Sequence, residues 1–179
     1  DARGRHGGRS GDRMKPGLPE KLPKMFRTIP CETRVVLAEG QRAEDVAADA
    51  PISVAISSEK PVKRWFGAEI LDHSATAIDR TYFDRGMAFL VGHDQSEYKR
   101  LQAGIVTGFS VGKDRVLRGE VRFSSDPEAQ RVRQDMLDGI RPYISVGYRV
   151  NEYVLEKSGK EGDTYRATSW TPGEVSTVA

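Results

Sequence analysis

From residue 25 onward the sequence repeats one pattern, in which short β-type runs are closed off by turn residues. Runs of this kind form strands, and the breakers between them leave little room for long helices. Residues 33–37 are rich in β-branched side chains, and residues 51–57 alternate apolar and polar positions as a half-buried strand does. Residues 62–71, 88–91, 104–110, 116–123, 143–152 and 165–169 continue the series. The polar, glycine-bearing stretch 157–163 reads as the hairpin loop between the last two.

One helix is written clearly. Asp126 suits the N-cap and Pro127 the first helical position, and Ser125 with Glu128 makes a capping box. Ala129, Val132, Met136, Leu137 and Ile140 then fall on one face, and Gly139 supplies the stop. A second helix is expected within residues 75–84. Many short strands around one firm helix predict an α+β, mainly β protein: a closed or rolled antiparallel β-barrel with a few peripheral helices.

The 179 residues suffice for one domain with a real core. Its net charge of +2 gives the whole chain no strong electrostatic footprint. The basic excess sits in residues 1–24, where Arg3, Arg5, Arg9, Arg13, Lys15, Lys21 and Lys24 face only Asp1, Asp12 and Glu20. That segment is rich in Gly and Pro and short of large apolar groups, so a flexible basic arm is expected there and a folded domain over 25–179. The start at Asp1 and the stop just after a strand-like run suggest that both ends continue into something longer. No apolar run approaches the roughly 20 residues that cross a bilayer, and no secretion-signal segment opens the chain. Cys31 is the single cysteine, which forbids an internal disulfide and suits a reducing compartment.

Three histidines can be weighed for chemistry. His6 lies in the arm, and His73 follows Leu71 and Asp72 where a strand gives way to a loop. His93 ends the run Met87-Ala-Phe-Leu-Val-Gly-His-Asp94, so a strand delivers its imidazole at a strand end, beside a glycine. Ser145 stands between Ile144 and Val146, hence on the opposite face from both. Glu174 follows Pro172-Gly173, a turn that would fix its carboxylate. Taken singly, each residue also suits an ordinary structural place. Together they supply a hydroxyl, a base and an orienting acid from three β segments, the set that makes serine a nucleophile at neutral pH. One cysteine and three scattered histidines make no zinc site, and no phosphate-binding glycine loop is present, so no cofactor is expected.

The order of several motifs resembles the prohead maturation proteases of HK97-like tailed phages, whose fold is related to the herpesvirus assembly protease. The matching pieces are Glu69-Ile-Leu-Asp-His-Ser74, Ala77-Ile-Asp79, Phe89-Leu-Val-Gly-His-Asp94 and Gly104-Ile-Val-Thr-Gly108, then Leu117-Arg-Gly-Glu-Val-Arg-Phe-Ser124. Asp138-Gly-Ile140, Ile144-Ser-Val-Gly-Tyr148 and Trp170-Thr-Pro-Gly-Glu-Val-Ser-Thr-Val178 complete the set, which spans roughly residues 50 to 179. The resemblance implies a serine endopeptidase with Ser145 as nucleophile, His93 as base and Glu174 as third member. His73 is a rival for the third place, because the herpesvirus branch uses a second histidine there, and Asp94 is a lesser one. The Pro-Ala-Asp-like run that tends to follow in the family is absent here.

The resemblance further implies capsid or scaffold segments and the chain itself as substrates, a homodimer or higher homo-oligomer, and work in the host cytoplasm inside the assembling prohead or from a bacterial prophage. No membrane partner is implied. Oxyanion donors could come from backbone near Gly104 or Gly108, or from Arg141 or Arg149. The rival from another class is a non-catalytic capsid-assembly module on the same fold. A nucleic-acid-binding barrel would need exposed aromatics on a basic face, whereas most aromatics here alternate into expected core positions. A cysteine protease using Cys31 lacks a neighbouring histidine motif, so a buried structural thiol is expected instead.

Overall fold

Among the described residues nine strands join one sheet, and the expected β-type runs from 51 onward all lie in it. The strand Arg27–Cys31 is not among the expected runs, and the described part of the run 33–37 makes only an isolated bridge, Val35 with Val54. The computed structural model describes residues 27–31, 35–37, 42–92, 102–160 and 162–178. The strands are β1 (Arg27–Cys31), β2 (Ile52–Ser58), β3 (Val62–Arg64), β4 (Gly67–Leu71), β5 (Met87–Val91), β6 (Gln102–Val111), β7 (Val116–Phe123), β8 (Tyr143–Lys157) and β9 (Thr164–Val178). A short 3-10 turn at Ala43–Asp45 precedes β2, and α1 (Pro127–Leu137) stands between β7 and β8. The order across the sheet is β1-β8-β9-β5-β6-β7-β2, with β4 on β9 and β3 on β4. The sheet curls into a half-barrel, as the strand-rich pattern with its single firm helix predicts. The expected basic arm, residues 1–24, lies outside the described residues.

Pairing within the sheet is mixed rather than wholly antiparallel. The 15-residue β9 takes β4 in parallel along its first part and β5 in parallel along its last. Its other edge is covered by the equally long, antiparallel β8. One face of β8 and β9 places Ile144, Val146 and Val175 in a core shared with Ile52, Val54, Phe89, Val106, Leu117 and Val121.

The helix forms where its caps predict. The Asp126 carboxylate accepts the N–H groups of Glu128 and Ala129, at 2.9 and 3.4 Å, a cap worth about 1 kcal/mol. Ala129, Val132 and Met136 are buried. Ile140 is 66% exposed and lies past the end of the helix, so the packed face stops before it. Arg133, on the same helix, donates to the Ala47 carbonyl at 2.6 Å and ties α1 to the loop before β2.

Three other sequence expectations give way. Residues 75–84 form turns and a bridge instead of a helix, because β9 claims their backbone. The Trp170 N–H donates to Ala77 O at 2.9 Å, and the Asp79 N–H donates to Trp170 O at 2.8 Å. The expected run 62–71 folds back at Trp65 and Phe66 into the β3–β4 hairpin. The Pro172-Gly173 pair lies within β9: Glu174 faces Gly147 and Pro172 faces Tyr148, leaving Gly173 as an extra residue. That is a β-bulge, a device that re-aims the side chains beside it.

A buried carboxylate joins the hairpin to β8. Glu69, with no solvent exposure, accepts the hydroxyls of Tyr148 and Tyr153 and the Arg64 Nε–H at 3.1 Å. Arg64 Nη2 also donates to the Tyr148 hydroxyl at 2.7 Å. Burial, and then the Glu69 carboxylate, push the Tyr148 phenol far above its ordinary range.

Candidate functional site

Ser145 lies on β8 between β1 and β9, opposite Pro30 on one side and Ser176 on the other. Residues directly opposite across a ladder share a face, so Ser145 and Gly147 stand on the same side as Ser176 and Glu174. Directly opposed Cβ atoms approach to about 5 Å and diagonal ones to about 7 Å, within reach of a glutamate side chain. Ser145 and Ser176 are fully buried, and Glu174 is 3% exposed. The Ser176 hydroxyl donates to the Glu174 carboxylate in a short hydrogen bond. The structure thus brings Ser145 and Glu174 together and adds Ser176. The Glu-Val-Ser alternation carried that signal: residues two apart on a strand share a face.

The described part of β5 ends beside this cluster. Leu90 and Val91 pair with Ser176 and Thr177, and the Gly92 N–H donates to Thr177 O at 2.8 Å. Gly92 has φ +69°, a left-handed turn that costs glycine little. His93, the next residue, lies outside the described residues, as do Asp94 and His6. Of the suggested oxyanion groups, Arg141 sits 3.5 Å from Asp135 in an ion pair, and Arg149 faces Thr171 four residues along β8. A side chain at Gly104 would meet the Arg122 carbonyl at 2.4 Å, so that glycine lets β6 and β7 approach each other.

His73 belongs to a different cluster. Its ring lies 5.6 Å from that of Trp170, and Trp170 is six residues before Ser176, roughly 20 Å of strand. Its Nδ1 is 2.8 Å from the Leu71 carbonyl, which can only accept, so Nδ1 carries the proton. Nε2 is then the acceptor for the Ser57 hydroxyl at 2.8 Å. Ser57 and His73 are both buried, at 0% and 1% exposure. The His73 backbone N–H donates to Glu59 Oε1 at 2.8 Å, and Glu59 also receives Arg115 Nε at 2.9 Å and Arg166 Nη1 at 3.1 Å. Burial raises the Glu59 carboxyl, but the His73 N–H and the two arginines outweigh it and hold the group below its ordinary value. Sequence reasoning missed Ser57, which the alternation of residues 51–57 marks only as another polar position, with no motif around it.

Burial, more than any neighbour, lowers the His73 pKa below its ordinary 6.5. Above that pH both folded and unfolded chains hold a neutral ring. Below it the unfolded chain binds a proton that the folded ring resists, so stability is lost as pH falls through 6.5. The slope contributed by this one site reaches at most about 1.4 kcal/mol per pH unit. Urea midpoints between pH 7.5 and 5.5 should therefore drop for the parent and flatten for His73→Gln. Parallel slopes for both proteins would show that His73 does not carry this dependence.

Over 123 residues, 69% of its length, the chain is 43% identical to a major capsid protein of Halomonas phage phiHAP-1. The chain spans about a fifth (20%) of the length of that curated relative. No family model matches the chain, and no solved structure matches it. The match makes the chain a relative of part of a phage capsid protein.

Proposed function

We propose that this chain acts in phage capsid assembly as a serine endopeptidase that cleaves capsid or scaffold segments and its own polypeptide. Ser145 is the nucleophile, His93 the general base, and Glu174 the group that orients the base. One observation carries the reading: a serine hydroxyl and a carboxylate share a buried face of β8 and β9, beside the strand end that precedes His93. In the reaction Ser145 Oγ bonds to the scissile carbonyl carbon while His93 takes the hydroxyl proton. The carbon–nitrogen bond then breaks, and the proton passes to the departing amine. Water attacks the acyl-enzyme, His93 takes its proton, and the acyl group leaves as the acid while Ser145 regains its hydrogen.

The relative's name supports a phage-capsid setting. On the proposed reading the chain works in the host cytoplasm inside an assembling prohead, against capsid protein and as a homo-oligomer. A match confined to one fifth of that protein fits a maturation unit carried on the same polypeptide as a capsid protein. The second reading is a non-catalytic assembly module on the same fold. The full burial of Ser145 and the structural name of the relative favour it.

Incubation of the purified protein with its capsid protein, followed by mass spectrometry, separates the two. Cleavage in the parent that is lost in Ser145→Ala is the expected result. Equal persistence of both proteins and of the capsid protein would select the assembly module.

A further inference from the structure

We propose that the cleft between the β3–β4 hairpin and the β8–β9 loop binds an extended acidic segment of another polypeptide. The proposal does not depend on the protease reading. The cleft holds about 920 Å³ and is walled by Lys63, Trp65 and Phe66 on one side and Lys157, Lys160 and Asp163 on the other. Trp65 is 76% exposed, although tryptophan is highly buried on average. Its exposure is not looseness of the hairpin tip. The adjoining Phe66 ring packs edge-on against Tyr153 and Tyr165, at 6.0 and 5.7 Å between centroids. The hairpin is thus anchored by one aromatic and presents the other to the cleft.

Charge selects an acidic occupant. Lys63, Lys157 and Lys160 line the cleft and make no ion pair among the described residues. The carboxylate in the wall, Asp163, is engaged by the hydroxyls of Ser158 at 2.7 Å and Tyr165 at 3.2 Å. Three cations around an indole recognise carboxylates interspersed with an apolar side chain. The cleft's aromatic content favours a peptide over a nucleic acid. Single-stranded nucleic acid uses several aromatics on which successive bases stack, and this cleft exposes one tryptophan.

Intrinsic fluorescence tests the proposal. The chain has two tryptophans. Trp170 is fully buried with its indole N–H on the Asp72 carbonyl at 2.8 Å, so a spectral change on titration reports Trp65. The probe is a synthetic Glu/Leu peptide of about twelve residues, long enough to cross the cleft when extended. It should shift the emission to the blue and saturate, at least about tenfold tighter than the Gln/Leu peptide of the same length. The triple variant Lys63→Ala, Lys157→Ala, Lys160→Ala should bind about 30-fold more weakly. Trp65→Ala, followed by anisotropy of a labelled peptide, should show a similar loss. All four side chains lie at the surface, and circular dichroism verifies the fold. Absent binding, equal affinity for the Gln/Leu peptide, variants that bind as the parent does, or tighter binding of oligothymidylate would each overturn the proposal.

Discussion

Replacing Glu69 with alanine is expected to cost about 3–5 kcal/mol of folding stability. The carboxylate is fully buried and is the shared acceptor for Arg64, Tyr148 and Tyr153. Its removal leaves a guanidinium, 20% exposed, and two phenols near the core without that acceptor. Restoring water to these groups would require opening the hairpin away from β8. Glu69→Gln keeps the shape and one acceptor oxygen, so its cost should be smaller, about 1–3 kcal/mol. Urea denaturation with a common slope measures both. A loss under about 1 kcal/mol for the alanine variant, within the range of an exposed ion pair, would mean that the network adds little.

On the proposed mechanism, Glu174→Gln should lower the rate of capsid cleavage by about 10⁴-fold while leaving the fold intact. That is the size of effect known when an acid that orients a catalytic histidine becomes an amide. Ser176 can still donate to the amide oxygen, so the local contact on β9 survives. Ser176→Ala is the companion variant. It removes the hydroxyl that holds the carboxylate without touching the carboxylate itself, and a smaller loss is expected. Cleavage rates followed by mass spectrometry, with circular dichroism as the check on folding, decide the point. Unchanged cleavage in Glu174→Gln would reduce Glu174 to a structural role.

Strands β2 to β9 and α1 are legible because their signals are local, whereas β1 is not among the expected runs. Residues 51–57 alternate, and Asp126-Pro127 marks a helix start, wherever the rest of the chain lies. The misreadings share a physical cause: long-range pairing overrode local preference. Residues 75–84 carry no backbone signal that β9 will capture Ala77 and Asp79. Pro172-Gly173 reads as a turn in isolation, yet a partner as long as β8 absorbs the pair as a bulge. Register has the same character in the candidate site. Ser145 and Glu174 could be named from motif order, but their shared face follows from the β8–β9 ladder, which places Ser145 opposite Ser176. The Ser57–His73 pair was invisible because its partners are 16 positions apart and meet only across the fold.

The Ser57–His73 pair makes one measurement especially direct. The purified protein is treated with a fluorophosphonate, which bonds covalently to a serine that a neighbouring base has activated, and the modified peptide is mapped by mass spectrometry. The account predicts one adduct, on Ser145, that disappears in both Ser145→Ala and His93→Ala. An adduct on Ser57 alone, or no adduct on a protein that still cleaves its capsid partner, would contradict the assignment of Ser145 as the nucleophile.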